Sequence, residues 1–270
     1  MDPQPPETPI QLGAMLFTLV DPNPGFEVAY NRWYERDHFY GGCLVGPWLF
    51  AGTRWVATRP YKDLRFPETS TVATPVDTGS FLATYWVEKE HWPEHFAWAS
   101  KEVVKLYEAG RGFEERTHAH TVLYTFQRAH YRDEDPIPVE LALDHRFAGL
   151  VTIHVDRAEG VKHPAFDDWV RDVGREILLA EDSPFAIAAS FRPIIPRGAD
   201  GNAPMDLGSS PGTPARSAQL IFSDGDPAPY WDRIRDYTQA IEDSGLATVQ
   251  LAAPFIPTVV GTDTYTDQLW

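Results

Sequence analysis

The hydrophobic and polar positions along the chain follow two different periods, which predict strands and helices. Short runs rich in apolar, aromatic and β-branched residues have the length of strands. Longer segments carry apolar residues at every third or fourth position, the stripe of an amphipathic helix. The first such stripe begins at Phe26 and includes Tyr30 and Trp33. The pair Gly41-Gly42 is predicted to end this helix.

The predicted elements occur twice in the order strand, helix, strand, strand, helix, strand. A tail at residues 1–13 precedes the first set at 14–128, and a polar, proline-bearing linker at 129–145 leads to the second set at 146–270. This order is that of a ferredoxin-like β-α-β-β-α-β unit. Because each unit has one uncovered sheet face, two units can cover each other. The sequence predicts an α+β fold of two tandem ferredoxin-like repeats packed as an intrachain α+β barrel.

The two repeats also match in detail within their first helices. When Trp33 is aligned with Trp169, His38 falls on Gly174, so only the first repeat carries a histidine at this position. In the second repeat, the Gly- and Pro-rich segment 196–217 is predicted to be a loop.

Charge and cysteine content exclude several classes of function. The chain has 23 Lys and Arg against 39 Asp and Glu, a formal charge of -16, so nucleic acid and anionic membranes are not expected partners. The single cysteine, Cys43, excludes an internal disulfide framework and a site of several thiolates. No apolar run has the length and setting of a signal peptide or a membrane span. We therefore expect a soluble, cytoplasmic protein.

His38, near the predicted end of the first helix, is the leading catalytic candidate. Imidazole exchanges a proton near neutral pH, which suits general acid or base catalysis. The alternative is a histidine that only interacts favourably with the C-terminal end of the helix dipole. Its absence from the second repeat favours a functional role, because folding would make equal use of it in both repeats.

The segment NRWYERDHF, residues 31–39, resembles the helix end of the EthD-like branch of the dimeric α+β barrel superfamily. Trp33, Tyr34 and His38 carry the resemblance, and the proline common just after that histidine is absent here. The resemblance implies a small enzyme, often without a cofactor, that acts on hydrophobic carbonyl, phenolic or polyketide-like compounds. Decarboxylases, dehydratases, cyclases, lactone isomerases and small oxygenases belong to this range.

Further candidates lie on the strands of the first repeat. His118 and His120 are two positions apart on the fourth strand, so both are expected on one sheet face together with Tyr124. In the resulting hypothesis His38 moves the proton while Tyr34 or Tyr124 holds the developing oxyanion. The expected substrate-binding residues are Trp33, Tyr85, Trp86, His118 and His120. Core packing of the aromatic residues and a rim position for the two strand histidines remain alternatives, as does a metal ion shared with His38.

The leading functional prediction is a cofactor-independent lyase that binds a small hydrophobic aromatic or carbonyl substrate, as a monomer or homodimer. Alternatives are a haem-binding tandem barrel with His154 or His163 as axial ligand, a cofactor-free oxygenase, and a non-catalytic binder of an aromatic metabolite. His91 and His95 have a spacing used by metal ligands, but Pro93 between them favours surface histidines.

Overall fold

A computed structural model describes residues 3–195, 206–208, 212 and 214–270. Most of the predicted loop at 196–217 lies outside these residues. The strands are β1 Leu12–Pro22, β2 Leu49–Val56, β3 Phe81–Glu88, β4 Arg116–Tyr131, β5 Gly149–Arg157, β6 Phe185–Pro193, β7 Arg216–Ser223 and β8 Ala247–Pro257. The α-helices are α1 Glu27–Trp33, α2 Arg59–Lys62, α3 Trp92–Glu108, α4 His163–Trp169, α5 Arg175–Leu178 and α6 Trp231–Asp243. The π-helical segments are Tyr34–Leu44 and Val170–Gly174.

The eight strands form one closed barrel in the order β1-β3-β2-β8-β5-β7-β6-β4, and all neighbours are antiparallel. The first half contributes the sheet β4-β1-β3-β2 and the second half contributes β8-β5-β7-β6, each in ferredoxin-like order. The predicted fold class is confirmed. Since the barrel closes within one chain, no second chain is needed to complete it.

The two seams between the halves differ in length. Strands β4 and β6 pair through seven residue pairs, from Tyr124 with Pro193 to Tyr131 with Ile187. Strands β2 and β8 pair only through Trp55 with Pro257 and Val56 with Ile256. Strand pairing is therefore longer along one seam than along the other, where Phe66 of the first half adds an isolated bridge to Ala252 of β8.

The core has three parts, because each sheet packs on both faces. One buried cluster fills the barrel interior and includes Phe17, Trp86 and Phe222. A second cluster lies between the first-half sheet and the helix that starts with α1. A third lies between the second-half sheet and helices α4 to α6. Strand residues consequently alternate between the interior and a helix-covered outer face.

The prediction that Gly41-Gly42 ends the first helix is wrong. Helix α1 passes at Tyr34 into a π-helical segment that continues through both glycines to Leu44. A Cβ atom at Gly42 would lie 3.2 Å from Nδ1 of His38 and 3.5 Å from Cδ1 of Leu106. The glycine thus permits close approach of neighbouring side chains inside the helix instead of terminating it.

The second half shows the same transition. Helix α4 ends at Trp169 and passes into the π-helical segment Val170–Gly174, as α1 ends at Trp33 before Tyr34. The alignment of Trp33 with Trp169 made from the sequence therefore matches equivalent positions in the structure. Short π-helical segments occur preferentially at functional sites.

Among the described residues, none of the helices combines the length and the apolar character needed to span a bilayer.

Candidate functional site

His38 lies on the first π-helical segment, over the outer face of the first-half sheet. Its imidazole stacks on Trp33 with ring centroids 5.1 Å apart and an interplanar angle of 22°. The Tyr34 ring meets it edge-on at 5.1 Å. Trp33 in turn stacks on Phe113 at 5.3 Å. The imidazole is thus the end of a row of aromatic rings, and its residue is only half-buried.

The surroundings of His38 favour its neutral form. Burial lowers its pKa to about 3, with further contributions from Arg116, His118 and Arg54. Loss of hydration and nearby positive charge both act against imidazolium. At neutral pH the ring is therefore uncharged: one nitrogen can accept a proton, and the basicity of this nitrogen is low until a nearby anion raises the pKa of the ring.

Arg116 connects the aromatic row to His118. Its guanidinium lies 4.8 Å from the ring centroid of Trp33 and its Nη2 donates to the hydroxyl of Tyr107 at 2.9 Å. Its Nε donates to Nε2 of His118 at 3.2 Å. Because Nε2 of His118 accepts, Nδ1 carries the proton and donates to the Oγ1 of Thr121 at 2.7 Å. These contacts fix one tautomer of His118, and burial lowers its pKa to about 4.

A cavity of about 370 Å³ opens beside this group. Tyr107, Phe113, Arg116 and His118 line it together with Glu114, Thr117 and Asp206. This volume falls within the range of small-molecule sites, and its walls combine ring faces with a few polar groups. The guanidinium of Arg116 supplies positive charge at this wall, and the carboxylates of Glu114 and Asp206 supply negative charge.

The hydroxyl of Tyr34 is turned away from this cavity into the protein. It shares a 2.9 Å hydrogen bond with the hydroxyl of Tyr85, and both residues are buried. Tyr85 also contacts the thiol of Cys43, whose pKa burial raises to about 12. Burial raises the pKa values of both tyrosines as well. These three groups form a buried hydrogen-bonded chain below the helix.

Arg54, on β2, supplies a buried positive charge beneath the same helix. Its Nη1 donates to Oδ1 of Asn31 at 2.9 Å and to Oε1 of Glu35 at 3.2 Å. The guanidinium carbon lies 4.6 Å from the ring centroid of Tyr34. The sequence analysis missed Arg54 and Arg116, because a single arginine on a strand carries no motif and its partners are distant in sequence.

The prediction that His118 and His120 share one sheet face is wrong. Val20 pairs with His118 while the adjacent Leu19 pairs with His120, so β4 contains a bulge with Ala119 as the extra residue. Leu19 faces the barrel interior and Val20 faces the helix that starts with α1. His120 therefore points into the barrel and His118 points outward, towards the group around His38.

The predicted site residues consequently fall into two groups on opposite sides of the sheet. The outer group contains Trp33, Tyr34, His38, Tyr85 and His118. The interior group contains Trp86, His120 and Tyr124. Within the interior, Nε2 of His120 bonds the hydroxyl of Tyr124 at 2.7 Å, and the Trp86 ring packs on Phe191. Tyr124 cannot hold an oxyanion for His38, because the sheet separates them.

The other histidine predictions also change. His95 is not a surface residue: it is buried, and its Nδ1 contacts the carbonyl oxygen of Pro47 at 2.8 Å. His91 stacks on Trp48 at 3.7 Å. A metal ion shared by His38, His118 and His120 is ruled out by their different faces. In the described part of the chain, no group of three or more His, Cys, Asp or Glu side chains is placed to hold a metal.

The two histidines considered as haem ligands lie in closely packed surroundings. His163 has a favourable environment, since its Nδ1 lies 2.6 Å from Asp167 and its Nε2 is buried without a partner among the described residues. Buried apolar side chains pack the layer between α4, α6 and the sheet, so a porphyrin at His163 would have to displace some of them. His154 lies in the barrel interior with its ring 5.2 Å from Phe17. The cavity beside Arg116 and His118 is in the other half of the molecule.

Several solved structures share this architecture. An anthrone oxidase-like protein superposes with a TM-score of 0.53 at 11% identity, covering 94% of this chain and 95% of that chain. A chlorite dismutase-like protein gives a TM-score of 0.53 at 10% identity, covering 96% and 100%. A variant of DypB from Rhodococcus jostii RHA1 in complex with heme gives 0.51 at 11% identity, covering 99% of both chains.

No protein-family model and no curated protein sequence matches the chain. At such low identities the structural likeness shows the fold alone. The chain therefore has the dimeric α+β barrel fold of two ferredoxin-like repeats, here closed within a single polypeptide.

Proposed function

We propose that the chain is an enzyme in which His38 removes a proton from a flat aromatic or carbonyl compound bound in the cavity beside Arg116 and His118. The observation that carries this proposal is the stacking of the His38 imidazole on Trp33, whose ring also lies 4.8 Å from the guanidinium of Arg116 on the cavity wall. A neutral imidazole accepts a proton, and the positive charge of Arg116, which lines the cavity, then stabilises the substrate anion. The ring faces of Tyr107 and Phe113 suit a flat substrate.

The leading form of the reaction is oxidation of an acidified CH2 group by O2. His38 takes one proton, the resulting carbanion reduces O2 and forms a C–O bond, and the peroxide anion recovers the proton from His38. Cleavage of the O–O bond with loss of the second hydrogen then gives a carbonyl and water. The sum is CH2 plus O2 to C=O plus H2O, so the substrate is the reductant and O2 the oxidant.

A lyase reaction is the form predicted from the sequence, and the state of His38 limits it. Dehydration requires an acid to protonate the leaving hydroxyl, which a neutral imidazole cannot do. Decarboxylation or cyclisation started by a base remains compatible with the same site. Oxygen consumption separates the two forms, since only the oxidation needs O2.

Oxygen uptake on addition of anthrone or 1,8-dihydroxyanthrone tests the proposal. Each compound has an acidic CH2 within a flat tricyclic ring system. The enzyme should consume O2 and form the corresponding quinone. After the uncatalysed rate is subtracted, the rate of His38→Ala should be about 10²–10⁴-fold lower than that of the wild type. His145→Ala, at an exposed position in the linker, is the matched control and should keep full activity.

Each other result leads to a definite alternative. Equal O2 uptake by the wild type and His38→Ala contradicts a catalytic role for His38. Substrate conversion without O2 uptake favours the lyase. Tight binding without conversion, unchanged in His38→Ala, favours a carrier of aromatic metabolites.

A further inference from the structure

The barrel interior contains a polar cluster that the proposed function does not use. His120 and Tyr124 come from β4 of the first half, while Thr152 and His154 come from β5 of the second half. All four side chains are fully buried. Thr152 and His154 are two positions apart on one strand and therefore face the same side. Strands from both halves thus bring these groups together only when the barrel is closed.

Three aromatic side chains in this cluster are in mutual contact. The ring centroids of His120 and His154 are 5.6 Å apart, and the ring of Tyr124 lies 6.2 Å from His120 and 6.1 Å from His154. The hydroxyl of Tyr124 is 2.7 Å from Nε2 of His120. Two imidazoles and a phenol therefore lie together in the interior, with the Phe17 ring 5.2–6.2 Å from each of them.

His154 and Thr152 lack partners that their burial requires. Among the described residues, both ring nitrogens of His154 lack a hydrogen-bond partner, and so does the hydroxyl of Thr152. Buried polar atoms in folded proteins are almost always satisfied, so such groups call for an explanation such as a bound ion or water. A neutral histidine has one unprotonated ring nitrogen, which is the form in which it binds a metal.

We propose that His120, His154 and Tyr124 form a binding site for one first-row transition-metal ion inside the barrel. Two imidazoles that share a tetrahedral metal at ordinary metal–nitrogen distances have ring centroids about 5 Å apart. An imidazole and a phenolate sharing the same ion have centroids about 6 Å apart by the same reasoning. Both values agree with the observed spacing.

On binding, the metal ion replaces the hydroxyl proton of Tyr124, which leaves to solvent, and the phenolate oxygen and the two ring nitrogens become ligands. The hydroxyl of Thr152, one step along β5 from His154, is placed to bond a water in a fourth position. Imidazole ligands suit copper, zinc, iron and nickel, and a phenolate adds negative charge without a redox change.

Copper(II) is the probe for this site, because its spectra report ligand identity. The full chain is unfolded in denaturant with a chelator, refolded with Cu2+ so that access to the closed interior is not limiting, and freed of excess ion by gel filtration. We expect about one Cu2+ per chain, nitrogen hyperfine coupling in the electron paramagnetic resonance spectrum and a visible phenolate-to-copper absorption band.

Two variants and a control decide the assignment. His154→Leu should weaken Cu2+ binding at least tenfold, whereas His145→Leu, at an exposed position, should leave it unchanged. Tyr124→Phe removes only a hydroxyl, so it tests the site even if His154→Leu fails to fold; it should lose the visible band and keep the nitrogen coupling. The proposal is overturned if the refolded wild-type chain holds no stoichiometric copper. It is also overturned if His154→Leu binds copper equally well, or if the visible band is unchanged in Tyr124→Phe. Buried water would then be the partner of these atoms.

Discussion

Both halves of the molecule end their first α-helix at a tryptophan just before a π-helical segment, but they cover that tryptophan differently. In the first half, His38 from the same segment stacks on Trp33. In the second half, Gly174 occupies the position equivalent to His38, and Tyr237 from α6 lies 6.1 Å from Trp169. A Cβ atom at Gly174 would lie only 2.8 Å from the Tyr237 ring. A phenol from a neighbouring helix takes up the space that the imidazole uses in the first half.

The groups around the two tryptophans also differ in chemical character. Around Trp33 lie guanidinium groups, a second histidine and a cavity, and the imidazole stays partly accessible. Trp169 is partly buried and packs against an apolar cluster, within which Tyr237 bonds Gln219 at 2.9 Å. The same position therefore has different surroundings in the two halves: a ring from α6 occupies the space in the second half, and in the first half an imidazole occupies it close to Arg116 and His118.

The largest expected effect concerns the packing role of the second half. Tyr237→Ala should lower the free energy of unfolding by about 3–5 kcal/mol, because it empties a fully buried aromatic position. Tyr230→Ala, in the exposed turn before α6, should change it by less than about 0.5 kcal/mol. Urea titrations of both variants measure the difference. A loss below about 1 kcal/mol for Tyr237→Ala would contradict the contrast between a packed and an open half.

A pair of glycine substitutions compares the two positions directly. Gly174→Ala should lower the free energy of unfolding by about 1–3 kcal/mol, since its Cβ meets the buried Tyr237 ring at 2.8 Å. Gly42→Ala should lower it by less, because its Cβ meets the imidazole of His38 at 3.2 Å, and that ring borders accessible space. Thermal or urea unfolding of both variants checks the order; the reverse order would show that the first half is packed as tightly as the second.

Removal of the Tyr34 hydroxyl distinguishes a role in stability from a role in catalysis. Tyr34→Phe breaks the buried bond to Tyr85 and should lower the free energy of unfolding by about 1 kcal/mol. The oxidation rate should remain within about twofold, because this hydroxyl faces the protein and not the cavity. Tyr40→Phe, at an exposed position on the same segment, is the control. A large loss of rate with unchanged stability would restore Tyr34 as a catalytic residue.

The smallest effect at neutral pH is electrostatic. The pKa of His38 is about 3 in the folded protein and near 6.5 in the unfolded chain, so the unfolded state binds more protons between these values. The free energy of unfolding should therefore fall as the pH drops below about 6.5 and be independent of His38 above it. His38→Gln should make this acid dependence shallower, measured by urea titrations from pH 7 to pH 4. An identical pH dependence in the variant would mean that folding does not shift the pKa of His38.

Much of the architecture could be predicted from sequence because it depends on local periodicity. The element order and the equivalence of Trp33 and Trp169 follow from stripes of apolar residues that any helix or strand would need. The prediction that Gly41-Gly42 ends the helix was wrong because a glycine can permit close packing as well as end a helix. Only the positions of the His38 and Leu106 side chains show which of these two roles applies.

The site was harder to predict, since it depends on one inserted residue and on distant partners. Ala119 shifts the pleat of β4, which sends His118 and His120 to opposite faces and divides the predicted site. A bulge of this kind leaves no mark in the alternation of residues. The roles of Arg54 and Arg116 arise from side chains far away along the chain, so no local pattern could indicate them.

The unequal seams of the barrel have a consequence for exchange with the surroundings. Strands β2 and β8 share two residue pairs, whereas β4 and β6 share seven. When thermal fluctuation parts the two halves, the short seam separates first and the long one acts as the hinge of a clamshell. Amide deuteration should consequently begin at Val56 and Ile256, and the crevice that opens there is a route by which small solutes reach the sealed centre of the molecule.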